Sequence, residues 1–176
     1  MTDSGSEVHR FTTKYVPAED RIQILMELKS GEVQVLWLTR RLLNLLLPRL
    51  LHRLEGTPEA VQKPAESRAL AVQRFSQQAA VRTIRPQPPV TLDEQTPQRP
   101  AAVAAEVDIR TGGGRLFLDF RDAAGRQLPS LPFGEQMLRQ WLGVVQAQYR
   151  AGGWNETFWP AWMAPAAEET PLRHLN

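Results

Sequence analysis

The chain of 176 residues contains no cysteine. That excludes disulfides, thiolate zinc sites and cysteine nucleophiles. Histidine is scarce as well: His9, His52 and His174 are the full set. None is spaced from a carboxylate or a second histidine as a metal site requires, so neither a metal nor another cofactor is expected. Lysine is limited to Lys14, Lys29 and Lys63, and every other basic residue is arginine, a preference that a GC-rich bacterial genome would also produce. The formal net charge is only +2, so the sequence pI near 9.4 is weak evidence for a polyanion partner.

Long apolar runs are missing too. The longest stretch, Leu42 to Leu54, is interrupted by Asn44, Pro48, Arg49, His52 and Arg53 and is too short to cross a bilayer. Met1 to Glu7 is polar and acidic and lacks the basic and apolar regions of a signal peptide. The expectation is a bacterial, cytoplasmic protein with a disordered start and no membrane association. Gly112-Gly113-Gly114 lacks the downstream Lys-Ser/Thr of a phosphate-binding loop and reads as a hairpin turn. The serines have no nucleophile-elbow context. Asp119 and Asp122 flank Arg121 and read as strand charges rather than an acid–base pair. No constellation supports an enzyme, and a non-catalytic protein is expected.

What the chain does have is an internal repeat. Arg21-Ile22-Gln23-Ile24-Leu25-Met26 lies over Arg115-Leu116-Phe117-Leu118-Asp119-Phe120 at an offset of 94 positions. Further along, Gly31 falls on Gly125, Trp37 on Leu131, Leu43 on Met137 and Leu50 on Val144. The repeated pattern is strand, Gly-containing turn, short strand, amphipathic helix. With 42% hydrophobic residues the chain can bury one core shared by two halves.

In the first unit, Phe11, Thr13 and Tyr15 alternate with Arg10, Thr12 and Lys14, the period of a half-buried strand. Ile22, Ile24, Met26 and Leu28 form the inner face of the next strand, and Val33, Val35 and Trp37 are expected to continue it. Thr39 is placed to cap a leucine-rich helix over about 40–54 whose polar stripe is Arg41, Asn44, Pro48 and His52. Pro48 removes a donor and should kink that helix. A helix this apolar must be covered on more than one side, which also suggests a homodimer.

A second helix spans about 64–84, with Leu70, Val72, Phe75, Ala79 and Val81 as its apolar face. Arg85 to Pro100 carries five prolines and reads as an extended linker without a core. The second unit then opens with one strand through Val103, Ala105, Val107 and Ile109. Leu116, Leu118 and Phe120 point inward in the next strand, Leu128 and Leu131 mark a short third, and a helix runs from about Glu135 to Arg150. Gly152-Gly153 stops it. The predicted architecture is α+β: two pseudo-symmetric βββα units with antiparallel sheets, joined by a helix and a Pro-rich linker. The boundaries are 1–7 for a disordered start, 8–56 and 101–153 for the units, 57–100 for the connection and 154–176 for a Trp-rich tail.

Two surfaces carry functional expectations. Outward strand positions combine arginine or lysine with an aromatic, as single-stranded nucleic-acid platforms do, although Glu27, Glu106, Asp108 and Asp119 interrupt the track. The tail places Trp154, Phe158, Trp159 and Trp162 either on the chain's own domain or on a protein partner, since aromatics anchor interfaces.

The run Gly114 to Arg126, GRLFLDFRDAAGR, followed by a helix through Leu138, Trp141, Leu142 and Tyr149, resembles a repeat of the Pur-alpha type. That family and the related Whirly-like proteins interlock tandem sheet-plus-helix repeats and bind single-stranded DNA or RNA. The resemblance covers the second unit, and the first by pattern alone. It implies a nucleic-acid role for Arg115, Phe117 and Arg121, with Arg21 and Gln23 at the matching positions of the first unit. The leading expectation is thus a non-catalytic protein that binds single-stranded nucleic acid with a sheet face. The alternative is an adaptor or assembly subunit that grips a protein partner through its tail or an exposed helix.

Overall fold

The computed structural model describes residues 7–56 and 63–164, with side chains from residue 68 onward in the second segment. Expectations for residues 1–6, 57–62 and 165–176, among them a disordered start and the polar end of the tail, lie outside the described residues. Glu7 is described, and it is tied down: its carbonyl accepts from the Lys29 amide at 2.8 Å and its carboxylate pairs with Lys29 Nζ at 2.7 Å.

The protein is α+β. Strands β1 (Val8–Val16), β2 (Arg21–Leu28) and β3 (Val33–Leu38) lead into helix α1 (Arg40–Glu55). Helix α2 (Lys63–Arg82) and strand β4 (Gln98–Val103) follow. Strands β5 (Glu106–Gly112), β6 (Arg115–Arg121) and β7 (Leu131–Phe133) then lead into helix α3 (Glu135–Ala151). A short 3-10 turn, Ala161–Met163, ends the described chain. The element order βββα therefore occurs twice.

Sheet A has the order β1-β2-β3-β4, and sheet B has β5-β6-β7. All pairings are antiparallel except β3 with β4, which is parallel. One strand had been expected over Val103 to Ile109, directly after a free linker. Instead the linker's end becomes β4 on sheet A, and the chain crosses to sheet B at two adjacent alanines. The Ala104 amide donates to Trp37 O at 3.0 Å, and the Ala105 amide donates to Arg121 O at 2.8 Å. A run of alternating residues thus hides a switch of sheets, because each half finds a partner with the same period.

The inner faces follow the repeat. Ile22, Ile24, Met26 and Leu28 are all buried, and 94 positions on so are Leu116, Leu118, Phe120 and Asp122. Gly31 and Gly125 both adopt positive φ, 85° and 76°, in the turns after these strands. That left-handed geometry is open to glycine at little cost. In the helices the equivalence slips by one residue. Leu43 and Leu50 are fully buried, but Met137 and Val144, 94 positions on, are 48% and 36% exposed. The buried counterparts are Leu138 and Val145.

The expectation for β3 was one residue out of phase. Ile24 pairs with Leu36 and Ile22 with Leu38, so Gln34, Leu36 and Leu38 share the core face. Val33, Val35 and Trp37 lie on the other side, beside Glu27, Leu25 and Gln23. Val33 and Val35 are buried there nonetheless. Their cover is the Pro-rich segment: the Val90 amide donates to Thr12 Oγ1 at 2.8 Å, Arg10 Nη1 donates to Pro88 O at 3.0 Å, and Val90 is itself buried. The segment read as a linker without a core is a strap across the outside of sheet A.

Helix α1 is capped as expected, with Thr39 Oγ1 accepting from the Leu42 amide at 3.2 Å, and it runs unbroken through Pro48. Leu42, Leu43, Leu46, Leu47, Leu50 and Leu51 are buried within the chain itself. Only Leu45, 57% exposed, is left of the wide apolar face that had suggested a homodimer.

Candidate interaction surfaces

On sheet B the outward residues are those expected, but most are already occupied. Strand β6 turns Arg115, Phe117, Asp119 and Arg121 outward, and β5 sets Arg110 opposite Phe117 and Asp108 opposite Asp119. Arg110 Nε donates to Asp119 Oδ2 at 2.8 Å, and its guanidinium lies 4.2 Å from the centre of the Phe117 ring. A cation at that distance covers one face of the ring. Arg121 Nη1 donates to Asp108 Oδ2 at 2.8 Å and lies 3.8 Å from Glu106 Oε2. The Ser130 hydroxyl also donates to Asp119. The hydrogen bond from Arg110, reinforced by that hydroxyl, holds the Asp119 carboxyl below its ordinary range despite partial burial. Of the expected sheet B cations, only Arg115 has no ion pair or hydrogen bond among the described residues.

Sheet A places Arg21 and Gln23 near the end that the strap leaves clear. Arg21 lies 3.9 Å from Glu19. Gln23 belongs to a cross-strand row, Lys14–Gln23–Trp37–Val103, that runs over all four strands. Lys14 and Val103 are exposed and Trp37 is half-buried. Arg21 and Gln23 are on one sheet and Arg115, Phe117 and Arg121 on the other. Each sheet presents its own set.

Asp122 is buried and serves its turn. Its carboxylate accepts from the Ala124 and Arg126 amides at 2.9 Å each and from Arg126 Nε at 2.6 Å. These bonds, the Arg126 amide first, hold its carboxyl below the ordinary range.

The tail aromatics pack on the chain's own domain. Trp154 is 4% exposed, meets Tyr15 and Tyr149 edge-on at 5.4 and 5.0 Å, and donates its indole N–H to Asp20 Oδ1 at 3.0 Å. Asp20 Oδ1 also accepts from the Tyr15 hydroxyl at 2.8 Å, and these two bonds lower its pKa. Trp162 is buried as well and donates to Glu55 Oε1 at 2.9 Å. Phe158 and Trp159 are half-buried and lie against Tyr149 at 6.0 and 5.4 Å. The Tyr149 hydroxyl donates to Asn44 Oδ1 at 2.8 Å, which joins α3 to the polar stripe of α1. Burial pushes the Tyr149 pKa up. Of the residues expected to anchor a partner, Trp154 and Trp162 are interior, and Phe158 and Trp159 offer only their outer edges.

Helix α2 carries an exposed helix surface of the kind the adaptor alternative allows. It turns Gln73, Ser76, Gln77 and Ala80 toward the fold, and its large apolar residues Leu70, Val72, Phe75 and Val81 are exposed. Gln77 Nε2 donates to Arg139 O at 2.9 Å, Gln140 Nε2 to Ala80 O at 2.9 Å, and Arg139 Nη2 to Gln73 Oε1 at 2.8 Å. On the far side Phe75 is 74% exposed and Val72 58%. Spacing of i, i+4, i+7, i+11 and i+14 puts Arg68, Val72, Phe75, Ala79 and Arg82 on one stripe, and all five are exposed. From Arg68 to Arg85 there are four arginines and no acid. None of the four has an ion pair among the described residues. The sequence held this signal in the acid-free run of arginines and in the glutamines opposite Phe75.

Among the described residues, no three His, Cys, Asp or Glu side chains cluster to hold a metal ion, and no helix is long and apolar enough to cross a membrane. Comparison with family models, curated proteins and solved structures returns no match for the chain.

Proposed function

We propose that the protein is a non-catalytic adaptor or assembly subunit that grips a protein partner with the outer stripe of α2. The observation that carries this is Phe75, 74% exposed at the middle of a helix that turns Gln73 and Gln77 inward. An aromatic held out by a rigid helix offers apolar area at small entropic cost, which is the usual character of an interface anchor. Arg68, Arg74, Arg82 and Arg85 surround it without internal counter-ions, so the matching partner surface is apolar and acidic. The test is site-specific photo-crosslinking from position 75 in cells, with the exposed position 94, between α2 and β4, as control. One discrete protein adduct from position 75, lost with Val72→Glu, supports the reading. No adduct, or the same adducts from both positions, overturns it.

A second reading keeps single-stranded DNA or RNA as the ligand and rests on the similarity of the second unit to a Pur-alpha repeat. The Lys14–Gln23–Trp37–Val103 row supports it: a half-buried indole in one row with a lysine that has no ion pair among the described residues suits base stacking and phosphate contact. Fluorescence anisotropy with labelled oligonucleotides separates the two readings. Salt-sensitive binding that weakens with Trp37→Ala or Arg115→Ala favours nucleic acid. Affinity unchanged in both variants removes the sheet face as its site.

A further inference from the structure

Beside the amino end of α3 a cavity of about 350 Å³ opens between the β5–β6 hairpin and the last turn of α1. Its floor is apolar: Leu54, Leu116, Phe133 and Leu138. Its wall carries two arginines from distant parts of the chain, Arg53 on α1 and Arg115 on β6. Both are exposed, and neither guanidinium has an ion pair or hydrogen bond among the described residues. This separates them from Arg110, Arg121 and Arg126, each laid on an aspartate.

We infer that this cavity is a binding site for a small phosphomonoester with an apolar or aromatic body. Two guanidiniums around one opening match a dianion better than a single carboxylate, because each can donate a pair of N–H groups to phosphate oxygens. The carboxylate in the wall, Glu135, does not cancel them, because it accepts from Arg139 Nε at 3.1 Å and pairs with Nη2 at 3.0 Å. Gly134 precedes it and offers no capping side chain, so the positive end of the 17-residue helix adds to the field. The apolar floor gives the body of the ligand a place that free phosphate would leave empty. The site is separate from the α2 stripe and stands or falls independently of it.

The test uses the full chain, ¹⁵N-labelled, titrated with phenyl phosphate and followed by amide shifts of Gly112, Gly114 and Gly134. Saturable shifts with Kd at or below about 1 mM are expected. Arg53→Gln and Arg115→Gln should each weaken binding about tenfold, the scale of a lost charged hydrogen bond, whereas Arg150→Gln at the far end of α3 leaves it unchanged. Inorganic phosphate and phenol, each carrying half of the ligand, should both bind at least tenfold more weakly. Absence of saturable shifts overturns the site. Equal loss in Arg150→Gln reduces it to general attraction and overturns it too. If inorganic phosphate or phenol binds as tightly as phenyl phosphate, the assigned ligand class is wrong.

Discussion

The outer faces of the two sheets are closed in opposite ways. On sheet A the cover comes from far along the chain: Val90 sits over β1, held through Thr12, with Pro88 bound by Arg10. Val33 and Val35 are buried beneath this strap although they lie outside the main core. Sheet B has no such strap among the described residues. Its arginines lie down on the aspartates of the neighbouring strand, and one of them covers Phe117. The difference teaches that an outward residue on a strand is not by that fact available. On one sheet apolar residues are taken up by the chain, and on the other the charges are taken up by each other. What stays free is one row on sheet A, Arg115 beside its cavity, and the stripe on α2.

The largest effect that separates the two sheets is expected at Val90. It is 3% exposed, and Val90→Asp removes a buried apolar side chain and places a carboxylate in the buried layer between the strap and sheet A. A fully buried valine contributes about 1.5–3 kcal/mol, and the stranded charge adds to that, so a loss of about 3 kcal/mol or more is expected. Urea unfolding measures it. A loss under about 0.5 kcal/mol, the range of ordinary surface substitutions, would mean that the strap is not a structural cover.

A smaller contrast lies at two glycines of the second unit. A Cβ at Gly152 would stand 2.9 Å from Tyr15 Cε2, and that ring is fixed by Asp20 and Trp154. Gly152→Ala should cost about 1–3 kcal/mol, as overpacking does. A Cβ at Gly143 meets only Gln77 Nε2 at 3.6 Å and Val81 Cγ2 at 3.7 Å, ordinary contact distances. Gly143→Ala should therefore stabilise by up to about 1 kcal/mol, the difference in helix propensity. Thermal unfolding of the two variants must move in opposite directions. A common direction would show that the Tyr15 contact is not what sets the limit at Gly152.

Much of the fold could be read from period alone. The inner faces of β2 and β6, the Thr39 cap, the turns at Gly31 and Gly125 and the leucine face of α1 all follow from local spacing. The failures share one physical cause: they depend on what lies across the sheet. Val35 and Trp37 alternate as correctly on the outer face as on the inner, and nothing local tells which face a distant strap will bury. Val103 and Ile109 keep one period through a change of sheet, because Ala104 and Ala105 can bond to either side. For the surfaces, residue type was legible and engagement was not. The acidic residues that interrupt the basic track do more than interrupt it, because Asp119 pairs with Arg110 and Asp108 with Arg121.

The smallest prediction sharpens the comparison through pH. The strap on sheet A is held by the Val90 amide on the Thr12 hydroxyl, by the Arg10 guanidinium on Pro88 O and by a buried valine. The cover of sheet B includes Asp119, whose carboxyl the Arg110 hydrogen bond holds below the ordinary value of 3.8. A folded pKa below the unfolded one means that the stabilisation is fully present above about pH 4 and is lost as pH falls through the folded value. The Arg110 side chain is 55% exposed, so screening keeps the pair's contribution under about 1 kcal/mol. Asp119→Asn should therefore lower stability slightly at pH 7, and the gap from the parent should close below pH 3. Val90→Asp runs the other way: its new carboxylate loses its charge in acid, so that variant recovers part of its deficit while the parent weakens. Urea midpoints of the parent and both variants at the two pH values test this together. A gap for Asp119→Asn that stays constant with pH would show that the arginine–aspartate pair does not hold the outer face of sheet B closed.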